Sequence, residues 1–367
     1  MNLTVIGNKN LWDNLRNSID EGRFPHSSLF IEHASYGALK MAFACAQKLL
    51  NKKENSWEDW ADLNMVFPFA KIGSSGETHE DYMDSWRGFI NESPYGIQWD
   101  WTQFLESGNK QLIIPVQAVA ELNRKMHLRA FEGGSKVCII WGAEHLNTSA
   151  ANKLLKLLEE PPKDTYFILI AEDTSRMLPT LLSRCQQSTL GPVNNLDLQA
   201  ELNRRGVDPE QIEEILFQAD GSIGRALQMA THKDQNSFEE IWINGLRAAF
   251  RARGNKQIVL DLLSWSERVA QLNRETQKEF LTYGLRLFRA ALMHAYQSPQ
   301  LGHFVSGTGF KIEKLAPFIH GQNILEIIEL LEGYSYHLER NANAKMLFTD
   351  LAFKLTRLLH QREQVEE

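Results

Sequence analysis

Two short apolar runs joined by one helix-forming stretch constrain this chain more than anything else in it. Val137-Cys138-Ile139-Ile140 is the first run, and Tyr166 to Ala171 is the second. Between them Ser149 to Glu160 places its leucines at helical spacing and stops at Pro161-Pro162, a pair that cannot continue a helix. Strand, helix, strand in that order makes a unit with parallel strands buried on both faces, because the helix crosses over the sheet to connect them.

The same alternation extends through the first half of the chain. Ser28-Leu29-Phe30-Ile31 reads as another strand, followed by a helix from Ala38 to Leu50 with apolar residues at 39, 43, 46 and 50. Ile114-Pro115-Val116 opens a helix through Ala130, and Leu178-Pro179-Thr180 begins a short helix closing at Ser183-Arg184-Cys185. The fold class is α/β, a parallel sheet with flanking helices, followed beyond Pro192 by helices alone. Residues 196–235 predict a small helical domain with Gly221-Ser222 capping Ile223 to Ala230, and residues 236–364 predict four or five longer helices broken near Gly254, Ser298 to Gly309 and Gly321. Residues 51–110 differ from both halves: they hold Trp57, Trp60, Trp86, Trp99 and Trp101, and read as a locally packed insertion with a mobile loop at Gly73-Ser74-Ser75-Gly76.

At 367 residues, 43% hydrophobic and 23% charged, the chain suits two or three globular domains. A formal net charge of -7 argues against a surface coated for nucleic acid. No basic segment followed by an apolar stretch stands after Met1, so no secretion signal is expected, and no apolar run approaches the roughly 18 residues of a membrane span. Cys45, Cys138 and Cys185 are far apart and without zinc spacing; they suit a reducing cytoplasm, where the chain is expected to reside.

A strand, a turn and a helix is where a phosphate-binding loop belongs. Such a loop needs glycines to expose backbone amides, a lysine for its charge and a hydroxyl for magnesium. The corresponding stretch is Glu32-His33-Ala34-Ser35-Tyr36-Gly37-Ala38-Leu39. Only Gly37 fits: Ala38 stands at the lysine position and Leu39 at the hydroxyl position. Each missing charge-assisted hydrogen bond forfeits about 1.5–3 kcal/mol, and Glu32, if it faces the pocket, would repel phosphate. Trp141 and Gly142 follow the central strand where an acidic pair would hold magnesium, and Glu144 reads as an ordinary helix-start residue. The loop has the outline of a nucleotide site without its chemistry, so no nucleotide cofactor and no metal is expected.

The flanking segments are specific. Ile6-Gly7-Asn8, Gly22-Arg23-Phe24-Pro25-His26, Phe131-Glu132-Gly133-Gly134-Ser135-Lys136-Val137, the helix from Asn147 to Pro162, Leu178-Pro179-Thr180 with Ser183-Arg184-Cys185-Gln186, and Asn341-Ala342-Asn343-Ala344-Lys345 together resemble the delta-prime family of subunits in the clamp loader of bacterial DNA polymerase III, within the AAA+ superfamily. The match is dense over about residues 1–50 and 110–190 and recovers near 340–355. The resemblance implies a RecA-like AAA+ domain over residues 1–190, a helical lid over 191–236 and a helical collar over 237–367 that oligomerises. It implies gamma or tau and delta subunits as partners, with the sliding clamp and primer-template DNA reached through the complex. It also implies a rigid subunit that does not hydrolyse ATP itself but supplies Arg184, supported by Ser183 and Cys185, as an arginine finger to a neighbouring ATPase subunit. An alternative, an active gamma/tau-like ATPase with unusual nucleotide contacts, predicts tight magnesium-ATP binding.

Many clamp-loader subunits carry a four-cysteine zinc module where residues 51–110 lie, and this segment has no cysteine at all. The tryptophans are expected to pack an aromatic core in place of the metal. Arg225 lies near where AAA+ lids present a second nucleotide sensor, about one position out of place, and is read as structural. Two basic groups, Arg124, Lys125, His127 and Arg129, and Arg247, Arg251, Arg253 and Lys256, are candidates for contact with DNA phosphates or plain solvated helix faces.

Overall fold

The computed structural model describes residues 4–53, 56–70, 78–105, 110–231, 236–252, 256–298 and 308–361, together with Phe304 and Ser306. Among these the chain forms two compact units, 1–230 and 231–367. The first begins with α1 (Lys9–Asp20), β1 (Ser27–Ile31) and α2 (Ala38–Leu49), continues through β2 (Leu63–Val66), α3 (Met83–Glu92) and α4 (Gln98–Phe104), and reaches α5 (Val116–His127) and β3 (Lys136–Trp141). It then runs α6 (Thr148–Glu159), β4 (Thr165–Ala171), α7 (Pro179–Leu182), β5 (Gln186–Thr189), α8 (Asn195–Arg204), α9 (Pro209–Ala219) and α10 (Ile223–Thr231).

All five strands pair in parallel in the order β2-β3-β4-β1-β5. The central strands alternate between two cores, as a pleated strand must. Val137, Ile139 and Trp141 of β3 enter one core with α1 and α2, while Cys138 and Ile140 enter the other with α5 and α6. Chain order reverses at β1, which lies between β4 and β5. In open α/β sheets the crevice beyond the strand ends at such a reversal is where ligands bind, and the segment from Glu32 to Gly37 leaves β1 there.

Local chemistry sets the helix bounds. Asn147 caps α6, its side chain accepting the amide of Ala150 at 2.7 Å. α5 ends at His127 rather than Ala130: the Lys136 ammonium donates to the carbonyls of Met126 and Leu128, the latter at 2.7 Å, and satisfies the helix's last turn.

Residues 51–110 are more deeply integrated than an insertion. Leu63 to Val66 form the edge strand β2, in register with Val137 to Ile140. Trp57, Trp60, Trp86 and Trp101 are buried in the core beneath α2 rather than in a core of their own. Phe67 stacks on Trp86 at 4.4 Å, Trp86 meets Trp101 edge-on at 5.2 Å, and the Trp101 indole donates to the Pro68 carbonyl at 2.7 Å. The loop expected at Gly73 to Gly76 lies outside the described residues.

Among the described residues the second unit holds five α-helices: α11 (Asn236–Arg251), α12 (Lys256–Ala270), α13 (Arg274–Ala295), α14 (Gly321–Glu339) and α15 (Ala344–Leu359). Trp242 stacks on Phe280 at 4.7 Å in its core, and the Trp265 indole donates to the Ile241 carbonyl at 2.7 Å. Gly321 starts α14 instead of breaking a helix, and Gly254 lies outside the described residues. The Asn341 to Lys345 motif is the turn into α15: Asn341 takes a positive φ of 64° and the Asn343 side chain accepts the Met346 amide at 3.2 Å. Among the described residues no helix is long and apolar enough to cross a membrane.

Candidate functional site

Glu32 follows the last residue of β1, and its amide extends the sheet by donating to the Ala171 carbonyl at 3.1 Å. Its side chain turns back into the loop. One carboxylate oxygen accepts the amides of Tyr36 at 2.8 Å, Gly37 at 2.9 Å and Ala38 at 3.0 Å. Gly37 reaches this arrangement with a φ of 103°, a conformation closed to most side chains. Ala38 then begins α2, so the carboxylate sits at the positive end of the helix dipole with backbone amides converging on it. This is the geometry that a phosphate group would occupy. Glu32 is 4% exposed; burial pushes its carboxyl up to about 7, while the three amides hold it from rising further. A phosphate would meet no empty cradle here. Ala38 and Leu39, at the lysine and hydroxyl positions, are buried against the core.

The loop is also closed from the side by distant segments. Ser35 donates its hydroxyl to the Tyr95 carbonyl, and the Ser35 carbonyl accepts the Gly224 amide at 3.3 Å and the Ser222 hydroxyl at 3.4 Å. A Cβ on Gly224 would overlap both Ser35 and the Tyr95 backbone, so glycine is required for α10 to come this close. The Tyr95 ring lies 3.5 Å from where a Cβ on Gly37 would stand. Arg225, in the first turn of α10, is half-buried beside this contact, its amide donating to the Ser222 hydroxyl at 3.3 Å.

At the end of β3, where magnesium would require acids, Trp141 is 2% exposed and joins the aromatic core. Gly142 has a φ of 68° and passes so close to Pro68 that a Cβ would come within 2.9 Å of its ring. Glu144 is not an ordinary helix-start residue. It lies in a short 3-10 turn, is buried, and accepts the Glu172 amide at 2.9 Å, the Asp173 amide at 3.3 Å and the Gln98 side-chain amide. Burial raises its carboxyl above the usual range. Its role is to staple the end of β4 to α4, a task that sequence spacing does not reveal.

Ser183, Arg184 and Cys185 form the turn between α7 and β5. The Ser183 hydroxyl and the Arg184 guanidinium both donate to the Thr180 carbonyl, each at 3.1 Å. Arg184 also pairs with Glu159, the last residue of α6, and 37% of its side chain remains exposed. Cys185 faces the core, where burial pushes its thiol up to about 11. The structure does not bring Arg184 to the loop of its own chain. Gln186 pairs with Ser28, so Glu32 and Arg184 stand at opposite ends of adjacent strands, roughly 20 Å apart along the strand direction.

Of the basic groups, Arg124 and Arg129 are exposed, while Lys125 pairs with Glu80 at 3.1 Å. Arg247 and Arg251 are exposed on α11, and Arg253 lies outside the described residues.

A parallel sheet of order β2-β3-β4-β1-β5, with the start of α10 meeting the loop that follows β1, makes an α/β module whose anion cradle is filled from within. Residues 87–194 match the family model described as DNA polymerase III, delta subunit. The chain is 38% identical over 134 residues to the DNA polymerase III subunit delta' of Haemophilus influenzae, covering 36% of this chain and 40% of that one. It is 30% identical over 214 residues to the subunit delta' of Pseudomonas aeruginosa, covering 55% of each chain. Matches thus span about half the length of these relatives or less. Among solved structures, a gamma subunit-related protein of DNA polymerase III from Thermotoga maritima aligns over 95% of this chain and 99% of that one, at 13% identity and a TM-score of 0.45. Over these segments the chain is similar to the delta' subunits of bacterial DNA polymerase III.

Proposed function

We propose that this chain is a non-hydrolysing scaffold subunit of a replicative clamp loader, working in the cytoplasm. It assembles with gamma or tau and delta subunits, helps load the sliding clamp onto primer-template DNA, and lends Arg184 to the nucleotide site of a neighbouring ATPase subunit. The observation that carries this reading is the Glu32 carboxylate on the amides of Tyr36, Gly37 and Ala38. A triphosphate entering that loop would have to displace a buried carboxylate, and no lysine stands at position 38 to compensate. The opposite-end placement of Arg184 fits the same division of labour, since a guanidinium that distant from its own loop cannot serve that loop. In this reading α8, α9 and α10 are the lid, α11 to α15 the collar, and the aromatic residues of 51–110 replace a zinc module.

The test is reconstitution with the ATPase subunits, the clamp and primed DNA. Arg184→Ala is expected to leave assembly intact and lower ATP turnover at the adjacent subunit by about 10³-fold or more, the range for arginine fingers. Unchanged turnover would refute the role. Tight magnesium-ATP binding by the isolated chain would instead favour an active ATPase.

A further inference from the structure

β2 ends the sheet: β3 pairs with one side of it, and no described strand pairs with the other. Val137 donates to the Asp62 carbonyl at 3.0 Å, so residues 62, 64 and 66 turn their main chain toward β3. Residues 63, 65 and 67 turn theirs to the open side. There the Leu63 amide donates to the Trp60 carbonyl at 2.9 Å, and the Phe67 amide donates to His79 Nε2 at 3.3 Å. Met65 lies between them, and its amide has no acceptor among the described residues. The edge is closed above and below and open at one residue.

A cavity of about 130 Å³ opens beside Met65, between α3 and α5. Donors on its wall outnumber the acceptors that serve them. His79 is 7% exposed, and burial pushes its pKa down to about 4, so the ring is neutral. Because Nε2 accepts from Phe67, the ring's hydrogen is on Nδ1, where no acceptor stands among the described residues. The buried indoles of Trp57 and Trp60 line the same cavity, also without acceptors. Unpaired buried donors are costly, and a ligand that brings acceptors relieves them. The charges at the mouth are mostly engaged within the chain: Arg87 with Asp84 at 2.9 Å, Lys125 with Glu80 at 3.1 Å, and Glu58 with Asn91 at 2.9 Å. An ionic ligand gains little there. What the wall lacks is carbonyl oxygen, and much of the rest of it is apolar, with Met65, Met83 and Leu122.

We propose that the open edge of β2 takes up an extended peptide segment of another protein, its main-chain carbonyls accepting from Met65 and His79 and one aliphatic side chain filling the cavity. A strand added at a sheet edge gains affinity from main-chain hydrogen bonds and selectivity from the side-chain pocket. Successive side chains of such a segment point to opposite sides, so one of each adjacent pair meets the cavity and the other faces water. A second copy of this chain is the poorer occupant. Its other sheet edge, β5, reads Gln186-Gln187-Ser188-Thr189 and has no aliphatic side chain to offer. Neither the β1 loop nor Arg184 takes part, so this site stands whether or not the chain serves a clamp loader.

The experiment uses the full chain and one probe, the fluorescent, terminally blocked pentapeptide Thr-Thr-Leu-Thr-Thr, followed by polarisation. Saturable binding is expected, weakened about tenfold or more when alanine replaces the central leucine. At a peptide concentration about ten times Kd, hydrogen exchange of the Met65 amide should slow about tenfold. Met83→Trp, at a half-buried position on the cavity wall, is expected to fill the space and weaken binding about tenfold. If that variant does not fold, exchange in the wild type decides the matter. Absence of saturable binding, affinity indifferent to the central side chain, or binding that leaves Met65 exchange unchanged would each overturn the proposal. Protection of Met65 that grows with protein concentration in the absence of peptide would also overturn it, by assigning the edge to a second copy.

Discussion

Trp141 packs against Trp86 with ring centroids 5.0 Å apart, joining the end of the central strand to the aromatic residues of α3. The position where an ATPase would need an acid for magnesium has become part of the hydrophobic core, and so has the segment that contributes Trp86. Trp86 is fully buried between Phe67, Trp101 and Trp141. Trp86→Ala is expected to cost about 3–5 kcal/mol of unfolding free energy, as large aromatic deletions do, read from urea denaturation. A loss below about 1 kcal/mol would mean the aromatic cluster is peripheral to the fold.

What could be read from the sequence followed the strength of the local signal. β3 and β4 are continuous apolar runs, buried on both faces, and they stand out from any background. β2, Leu63-Asn64-Met65-Val66, is short and interrupted by a polar residue; only its pairing with β3 makes it a strand. β5 reads Gln186-Gln187-Ser188-Thr189, an exposed edge with no apolar face to betray it. At the loop, the absence of lysine and hydroxyl was plain from Ala38 and Leu39. That Glu32 would accept the amides itself was not, because this depends on Gly37 turning at positive φ. The closure by Tyr95 and Gly224 joins residues far apart in sequence, which no spacing rule connects.

Glu32 makes stability depend on pH with a determinate sign. Its carboxyl is raised from 4.5 to about 7 in the folded protein. Between these values the folded state binds more protons at this group than the unfolded state, so stability from this group falls as pH rises from 4.5 to 7. Below 4.5 both states are protonated and above about 7 both are ionised, so the slope vanishes outside that window. Glu32→Gln keeps an oxygen for the three amides and cannot ionise. Its stability relative to wild type should therefore grow across the window, by about 1.4 kcal/mol for each pH unit crossed, read from urea denaturation at a series of pH values. A constant difference from pH 4.5 to 7 would show that Glu32 titrates normally.

Arg184 separates a structural role from a functional one. Its ion pair with Glu159 joins two side chains that are 37% and 45% exposed, and such pairs contribute about 0–1 kcal/mol. Arg184→Ala and Glu159→Gln should each shift unfolding free energy by no more than about 1 kcal/mol. In the assembled complex only the first should abolish stimulation of the neighbour. A loss of several kcal/mol in Arg184→Ala alone would place the arginine in the architecture of the α7 turn, and any drop in turnover would then follow from misfolding.

Gly224 is where the loop and the helices beyond β5 are held to each other. The amide of Gly224 reaches the Ser35 carbonyl, and the missing side chain is what permits it. Gly224 does not take a positive φ, so alanine there meets no backbone strain and the substitution tests contact alone. In an unconstrained helix the same change would stabilise by up to about 1 kcal/mol. Here the added methyl must push α10 away from Ser35 and Tyr95, at a cost of about 1–3 kcal/mol as for other overpacked contacts. The sign of the stability change therefore decides the matter. Destabilisation, with faster amide exchange at Gly224 and Arg225, means that α10 closes on the loop in solution; stabilisation means that it does not.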